Sequence, residues 1–149
     1  MSTRGYVGVL TEKGDVKYIY NHYDSYLDEL GITLYKHYNT EEKAKQLIEK
    51  GDASAIYSTL ETSDFYNEPA SYLDLNNYLK ARWDIEWVYL FKDGQWFVGT
   101  TWNDKPTNLV SLGEALTSPE IMRKWFAGFI RPEFINKLID KCLEAGQQK

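Results

Sequence analysis

Two stretches rich in β-branched and aromatic residues, each broken by a short polar turn, dominate the pattern of this chain. The first runs Tyr6-Val7-Gly8-Val9-Leu10, turns through Glu12-Lys13-Gly14-Asp15, and continues Val16-Lys17-Tyr18-Ile19-Tyr20-Asn21-His22. Side chains of this kind suit a pleated surface, and a glycine can take the backbone conformation a tight loop needs, so the stretch predicts a β-hairpin. The second runs Glu86-Trp87-Val88-Tyr89-Leu90-Phe91, then Asp93-Gly94, then Gln95 to Trp102. Asp-Gly between aromatic runs predicts a second hairpin closed by a primed turn.

Elsewhere the apolar residues fall three and four apart. Leu27, Leu30, Leu34 and Tyr38 share one helical face and predict a helix over about 25–37, with Gly31 weakening its middle. Asn39 and Glu42 read as cap and capping-box partner of a surface helix that buries Ala44, Leu47 and Ile48 and stops at Gly51. Mild strand character follows from Ser54 to Leu60, then loop over much of 61–71, then a short helix over about 72–83. Ser118-Pro119-Glu120 opens a helix carrying Ile121, Met122, Trp125, Phe126, Phe129 and Ile130, and Pro132 restarts one carrying Phe134, Ile135, Leu138, Ile139, Cys142 and Leu143. The expected fold class is α+β: an antiparallel sheet built from the two β-hairpins and covered by amphipathic helices, a two-layer single domain over residues 1–149.

Composition narrows the functional classes. The chain has 149 residues, is 43% hydrophobic and 15% aromatic, and contains one cysteine. That is material for one core, and a single Cys142 excludes an internal disulfide or a cysteine-based zinc cluster. No apolar run approaches the roughly 20 residues needed to cross a bilayer. The start, Met1 to Tyr6, lacks the apolar core of a secretory signal, so a cytoplasmic location is expected.

The net charge of −5 has one source. No Lys or Arg occurs from Gly51 to Leu79, a window containing Asp52, Glu61, Asp64, Glu68 and Asp74 together with Tyr57, Phe65, Tyr66, Tyr72 and Tyr78. Acid without base argues against phosphate-backbone binding, which needs a basic face. Acid studded with tyrosines is what a domain shows to a basic protein partner, because complementary charge speeds encounter and Tyr supplies contact area. The partner-binding candidates are therefore Asp52, Glu61, Asp64, Tyr66, Glu68, Tyr72 and Asp74.

A second candidate cluster sits at the end of the first hairpin. Strand alternation sends Tyr18, Tyr20 and His22 to one side, with Asp24 and Tyr26 following and His37 or Tyr38 within reach. His22 and Asp24 are the weak catalytic candidates, an imidazole beside a carboxylate being able to act as a general base. The plainer reading makes Asp24 the cap of the following helix. Trp83, Trp87, Trp96 and Trp102 gather around the second hairpin, either as cross-strand pairs or as a stacking platform, so the ligand-binding candidates are Tyr20, His22, Asp24, Tyr26, His37, Trp87 and Trp96. Asp24, Asp28 and Glu29 match no metal loop, no phosphate-binding glycine loop or nucleophile elbow is present, and neither metal nor cofactor is expected.

Residues of the N-terminal third carry a resemblance. Ser2-Thr3-Arg4, Gly14-Asp15-Val16, Ile19-Tyr20-Asn21-His22-Tyr23-Asp24-Ser25-Tyr26, Gly31, Leu34, His37-Tyr38 and Gly51-Asp52 resemble the recurring pattern of a group of small, largely uncharacterised bacteriophage and prophage proteins. Ser25 stands where that pattern has Gly. The likeness implies a phage-type origin and, by context, a non-catalytic accessory protein that binds a host protein such as a nucleic-acid-binding or defence enzyme in the host cytoplasm. The alternative is a small-molecule or nucleotide-binding or hydrolytic protein using the Tyr-His-Asp cluster.

Overall fold

The computed structural model describes residues 3–101, 107–126, 137, 140, 141 and 144. Both hairpins form where the pattern places them. β1 (Gly5–Leu10) and β2 (Asp15–Asn21) pair antiparallel from Gly5–Asn21 to Leu10–Val16. β6 (Trp87–Lys92) and β7 (Gln95–Thr100) pair antiparallel around Asp93 at φ 52° and Gly94 at φ 79°, the two positive values that a primed turn requires.

The hairpins join by their first strands, and these run in the same direction: β1 pairs parallel with β6, Gly5 opposite Trp87 and Val9 opposite Phe91. The sheet is therefore mixed rather than antiparallel. Local turn chemistry specifies pairing within a hairpin, whereas pairing between them depends on the long crossover that carries the chain back to the same end of the sheet. Among the described residues the sheet has 8 strands in the order β4-β3-β2-β1-β6-β7-β8, β5 pairing beside this path, with β3 Ala53–Ala55, β4 Asp64–Phe65 and β8 Val110–Ser111. Along its second edge β2 has two neighbours. β5 (Ser71–Asp74) runs antiparallel to Asp15–Tyr18, and β3 meets it in parallel at Asn21.

A second correction concerns layers. Val7, Val9, Trp87, Tyr89, Phe91, Trp96 and Val98 face one way, onto Leu27, Leu30, Leu34, Leu47, Ile48, Leu112 and Leu116 of the helices. Tyr6, Val16, Val88 and Leu90 face the other way, onto Tyr78 and Ile85 with Leu73, Leu75 and Leu79 beside them. The middle strands are buried on both sides, so part of the sheet lies between two covers instead of forming one of two layers. Tyr6–Leu10 and Trp87–Phe91 are nearly continuous apolar runs, the pattern of strands covered on both faces.

Other departures are local. The predicted helix over 25–37 divides into a π-helical turn at Leu27–Gly31 and α1 at Ile32–His37. α2 (Glu41–Glu49) is capped by Thr40, whose hydroxyl accepts from Lys43 N at 3.1 Å, and not by Asn39. Thr40 has the extended backbone of a cap, leaving Asn39 one position too early. Ala44, Leu47 and Ile48 are its buried face, as expected. The predicted helix over 72–83 is only α3 (Leu75–Lys80), because β5 takes up the unpaired edge of β2 and Asp74 then caps the helix through Asn77 N at 3.1 Å.

Among the described residues the first face is covered by the π turn, α1, α2 and α4 (Leu112–Thr117). α5 (Pro119–Phe126) opens as expected, Ser118 Oγ accepting from Ile121 N, and Ile121 packs on the core. Of the predicted final helix, 137, 140, 141 and 144 are helical and exposed, while its apolar positions, Cys142 among them, lie outside the described residues together with Phe129, Ile130, Trp102 and the side chains of Met122, Trp125 and Phe126. Among the described residues no helix is long and apolar enough to cross a membrane.

Packing on the second face has a measurable consequence at high pH. Burial, with Tyr18 adding to it, raises the Tyr6 hydroxyl to about 12 from its ordinary 10.0, and burial raises Tyr78 as well. Tyr78, fully buried, also donates its hydroxyl proton to Tyr89 O at 2.5 Å. An unfolded chain releases these protons near pH 10, while the folded chain holds them, so stability falls as pH rises from 10 towards 12. Urea midpoints taken at about pH 8, 10 and 11 should decline, and the decline should be shallower in Tyr6→Phe.

Candidate functional site

At the far end of β2 the predicted alternation holds: Tyr18 and Tyr20 lie on the Tyr6–Tyr78 side of the sheet. The Tyr20 hydroxyl and His22 Nδ1 are 2.5 Å apart. Burial, the largest influence, raises the Tyr20 phenol, and Arg4 partly offsets it. The phenol therefore keeps its proton at neutral pH, and the two groups share one hydrogen bond. The Arg82 guanidinium lies 5.1 Å from the centroid of the Tyr20 ring and binds Asp84 through two bonds of 2.6 and 3.1 Å. Arg4 stands 4.0 Å from the same carboxylate.

Asp52 joins this corner to the acidic window. Its carboxylate accepts from Tyr20 N at 2.9 Å. Burial raises its pKa from 3.8, Glu68 adds to the shift, and the Tyr20 N–H and Arg82 oppose it. Its main chain pairs with the window as well, Asp52 N donating to Glu68 O at 2.8 Å and Tyr66 N to Asp52 O at 3.0 Å.

The ligand-binding candidates do not meet in one concavity. Among the described residues no hydrogen bond or ion pair joins His22 to Asp24. Asp24 is exposed, has φ 59°, and offers its carbonyl to Leu30 N, so its side chain is neither the expected helix cap nor a partner for the imidazole. The entry to the helical segment is Tyr26, without a side-chain cap, because the wide π turn is closed by main-chain bonds. His37 is exposed at the end of α1. Tyr26 meets Trp87 edge-on at 6.4 Å beside a cavity of about 250 Å³ lined also by Glu86 and Thr101, on the opposite side of the sheet from Tyr20. Trp96 is 1% exposed, its Nε1–H donating to Tyr38 O at 2.9 Å, and it packs in the core while bordering a cavity of about 210 Å³ with Tyr35, Asn39 and Gln95.

A larger cavity, about 670 Å³, lies between the β1–β2 turn, Tyr72 and α2. Its floor is Val9, Leu10 and Ile48, and its rim charges compensate one another in the pairs Lys17–Glu49 and Lys45–Glu41. Sequence reasoning missed it because its walls come from elements that only the sheet brings together.

The acidic candidates divide by role. Asp74 caps α3 and Asp52 holds Tyr20, so both have structural duties. Glu61, Asp64 and Glu68 are exposed and make no ion pair among the described residues. Tyr57, Tyr66 and Tyr72 present about half their surface to solvent, and Lys17 Nζ lies 5.9 Å from the Tyr72 ring centroid. The segment is fastened to the fold: Tyr57 O accepts from Tyr38 Oη at 2.6 Å, and Tyr57 N donates to Ser63 Oγ at 2.8 Å.

Arg4, Arg82 and Asp84 were not foreseen, since nothing in their spacing points to Tyr20. Trp83 was read as one of a cluster, yet it is 93% exposed while Trp87 and Trp96 are buried. Among the described residues no group of three His, Cys, Asp or Glu is placed to hold a metal ion. No family model, curated protein or solved structure matches the chain.

Proposed function

We propose that this chain is a non-catalytic, phage-type accessory protein that binds a host protein through the face carrying Glu61, Asp64, Tyr66 and Glu68. The observation that carries the reading is that these acids are exposed and unpaired among the described residues while the segment beneath them is hydrogen-bonded into the fold. An ordered acidic surface with Tyr57 and Tyr66 on it offers steering charge and contact area together. A nucleic-acid-binding or defence enzyme is the kind of target it fits, because such proteins expose basic surfaces for phosphate. His22 pairs with a protonated phenol instead of a carboxylate, which supports a role other than acid–base catalysis.

The test uses the tagged protein in lysate of a bacterial host. Asp64→Lys combined with Glu68→Lys should reduce recovery of the captured partner on the order of 10-fold, equivalent to about 1.4 kcal/mol, with an unchanged thermal midpoint. Unchanged capture removes the proposal. The second reading, a small-molecule or nucleotide site, rests on the Tyr20–His22 pair beside Arg4 and Arg82. Saturable heat on titration with nucleoside mono- and triphosphates, abolished in His22→Ala, would favour it instead.

A further inference from the structure

Trp83 is the most exposed of the large apolar side chains among the described residues, and it stands on a clamped turn. The turn begins at Ala81, whose φ of 58° and ψ of 173° place an L side chain in a conformation that glycine alone adopts readily. Ile85 N then donates to Arg82 O at 3.0 Å, Arg82 grips Asp84, and Glu86 N donates to Arg4 O at 2.9 Å. Ile85 is 1% exposed and anchors the far side. An indole in water adds nothing to folding, and the Ala81 backbone subtracts from it. Strain of this kind persists where a turn is used for recognition.

The turn also has a charged neighbour. Arg82 lies over Tyr20, whose main-chain N–H is bound by Asp52, and Asp52 in turn pairs with the main chain of Tyr66 and Glu68. The exposed indole therefore follows directly on an arginine whose charge acts on Asp52, the residue that ties the acidic window to this corner. Resting on the partner-binding reading above, we infer that Trp83 is the anchor of that face: its indole enters an apolar slot on a basic protein partner while Tyr66 and Glu68 meet the slot's cationic rim. Tryptophan is the side chain most enriched at interface hot spots, and one held on a rigid turn loses little freedom on docking. The unpaired acids of the window favour a basic rim over a neutral or acidic one.

Three tagged full-length proteins test this, with photoreactive p-benzoyl-phenylalanine replacing Trp83, Tyr66 or, as a control, Glu120, irradiated in lysate of a bacterial host. The expected result is one basic protein joined from positions 83 and 66, at least about 10-fold above the control, and reduced by about 10-fold or more by Asp64→Lys with Glu68→Lys. Without the photoreactive group, Trp83→Ala should reduce recovery of that protein by about 10-fold or more at an unchanged thermal midpoint, and Trp83→Phe should retain most of it. Joining from position 66 but not 83 overturns the anchor while leaving the acidic face standing, whereas no joining from either removes both. An adduct destroyed by nuclease, or one indifferent to the charge reversals, also overturns the inference.

Discussion

Gly51→Ala should destabilise the protein by about 2–5 kcal/mol, a large part of the roughly 5–15 kcal/mol that holds a typical domain folded. Gly51 has φ +85°, and a side chain in left-handed backbone costs roughly 1–2 kcal/mol. A β-carbon there would also overlap the main-chain oxygen of Glu68 and stand 3.0 Å from its carbonyl carbon. Neither atom can rotate away, so the overlap adds overpacking of about 1–3 kcal/mol. Gly14→Ala is the control: φ is +89° but nothing lies within 4 Å, and only the backbone cost should appear. Urea midpoints of the two variants separate the contributions, and equal losses would refute the close approach. Because Asp52 N bonds Glu68 O next to the overlap, displacement there should also disturb the proposed binding face.

Trp96→Ala should cost about 3–5 kcal/mol, the range for emptying a large aromatic site in a core. The indole is 1% exposed, meets Phe91 edge-on with ring centroids 5.3 Å apart, and satisfies Tyr38 O. Truncation removes the packing and leaves a buried carbonyl without its donor. Trp83→Ala should stay within about 0.5 kcal/mol, as surface substitutions do. Thermal unfolding of the two variants checks both values, and a Trp96→Ala protein as stable as wild type would return Trp96 to the group of ligand contacts.

The contrast between these tryptophans shows where sequence reading ends. Both lie near the second hairpin, and strand alternation says that some rings there are buried and others exposed. It cannot say which, because Trp83 lies before the strand, on a turn whose direction is set by the Arg82–Asp84 pair and by buried Ile85. The site candidates behaved likewise. Tyr20 and His22 came together because alternation along one strand is local. Asp24 and His37 did not join them, since a π turn and a separate helix carry them elsewhere.

Both hairpins, the Asp93-Gly94 turn and the buried face of α2 follow from the order of residues alone. Each depends on interactions between near neighbours or on a period of two or about 3.6. The parallel junction of β1 with β6, the cover on the second face, and the meeting of Arg4, Tyr20, Asp52 and Arg82 were decided only by tertiary structure. Those contacts link residues far apart in the chain, and nothing in a local pattern states which of two apolar edges will meet or which loop will close over them. Sheet edges and apolar faces left open by the local elements select their partners only when the whole chain has collapsed.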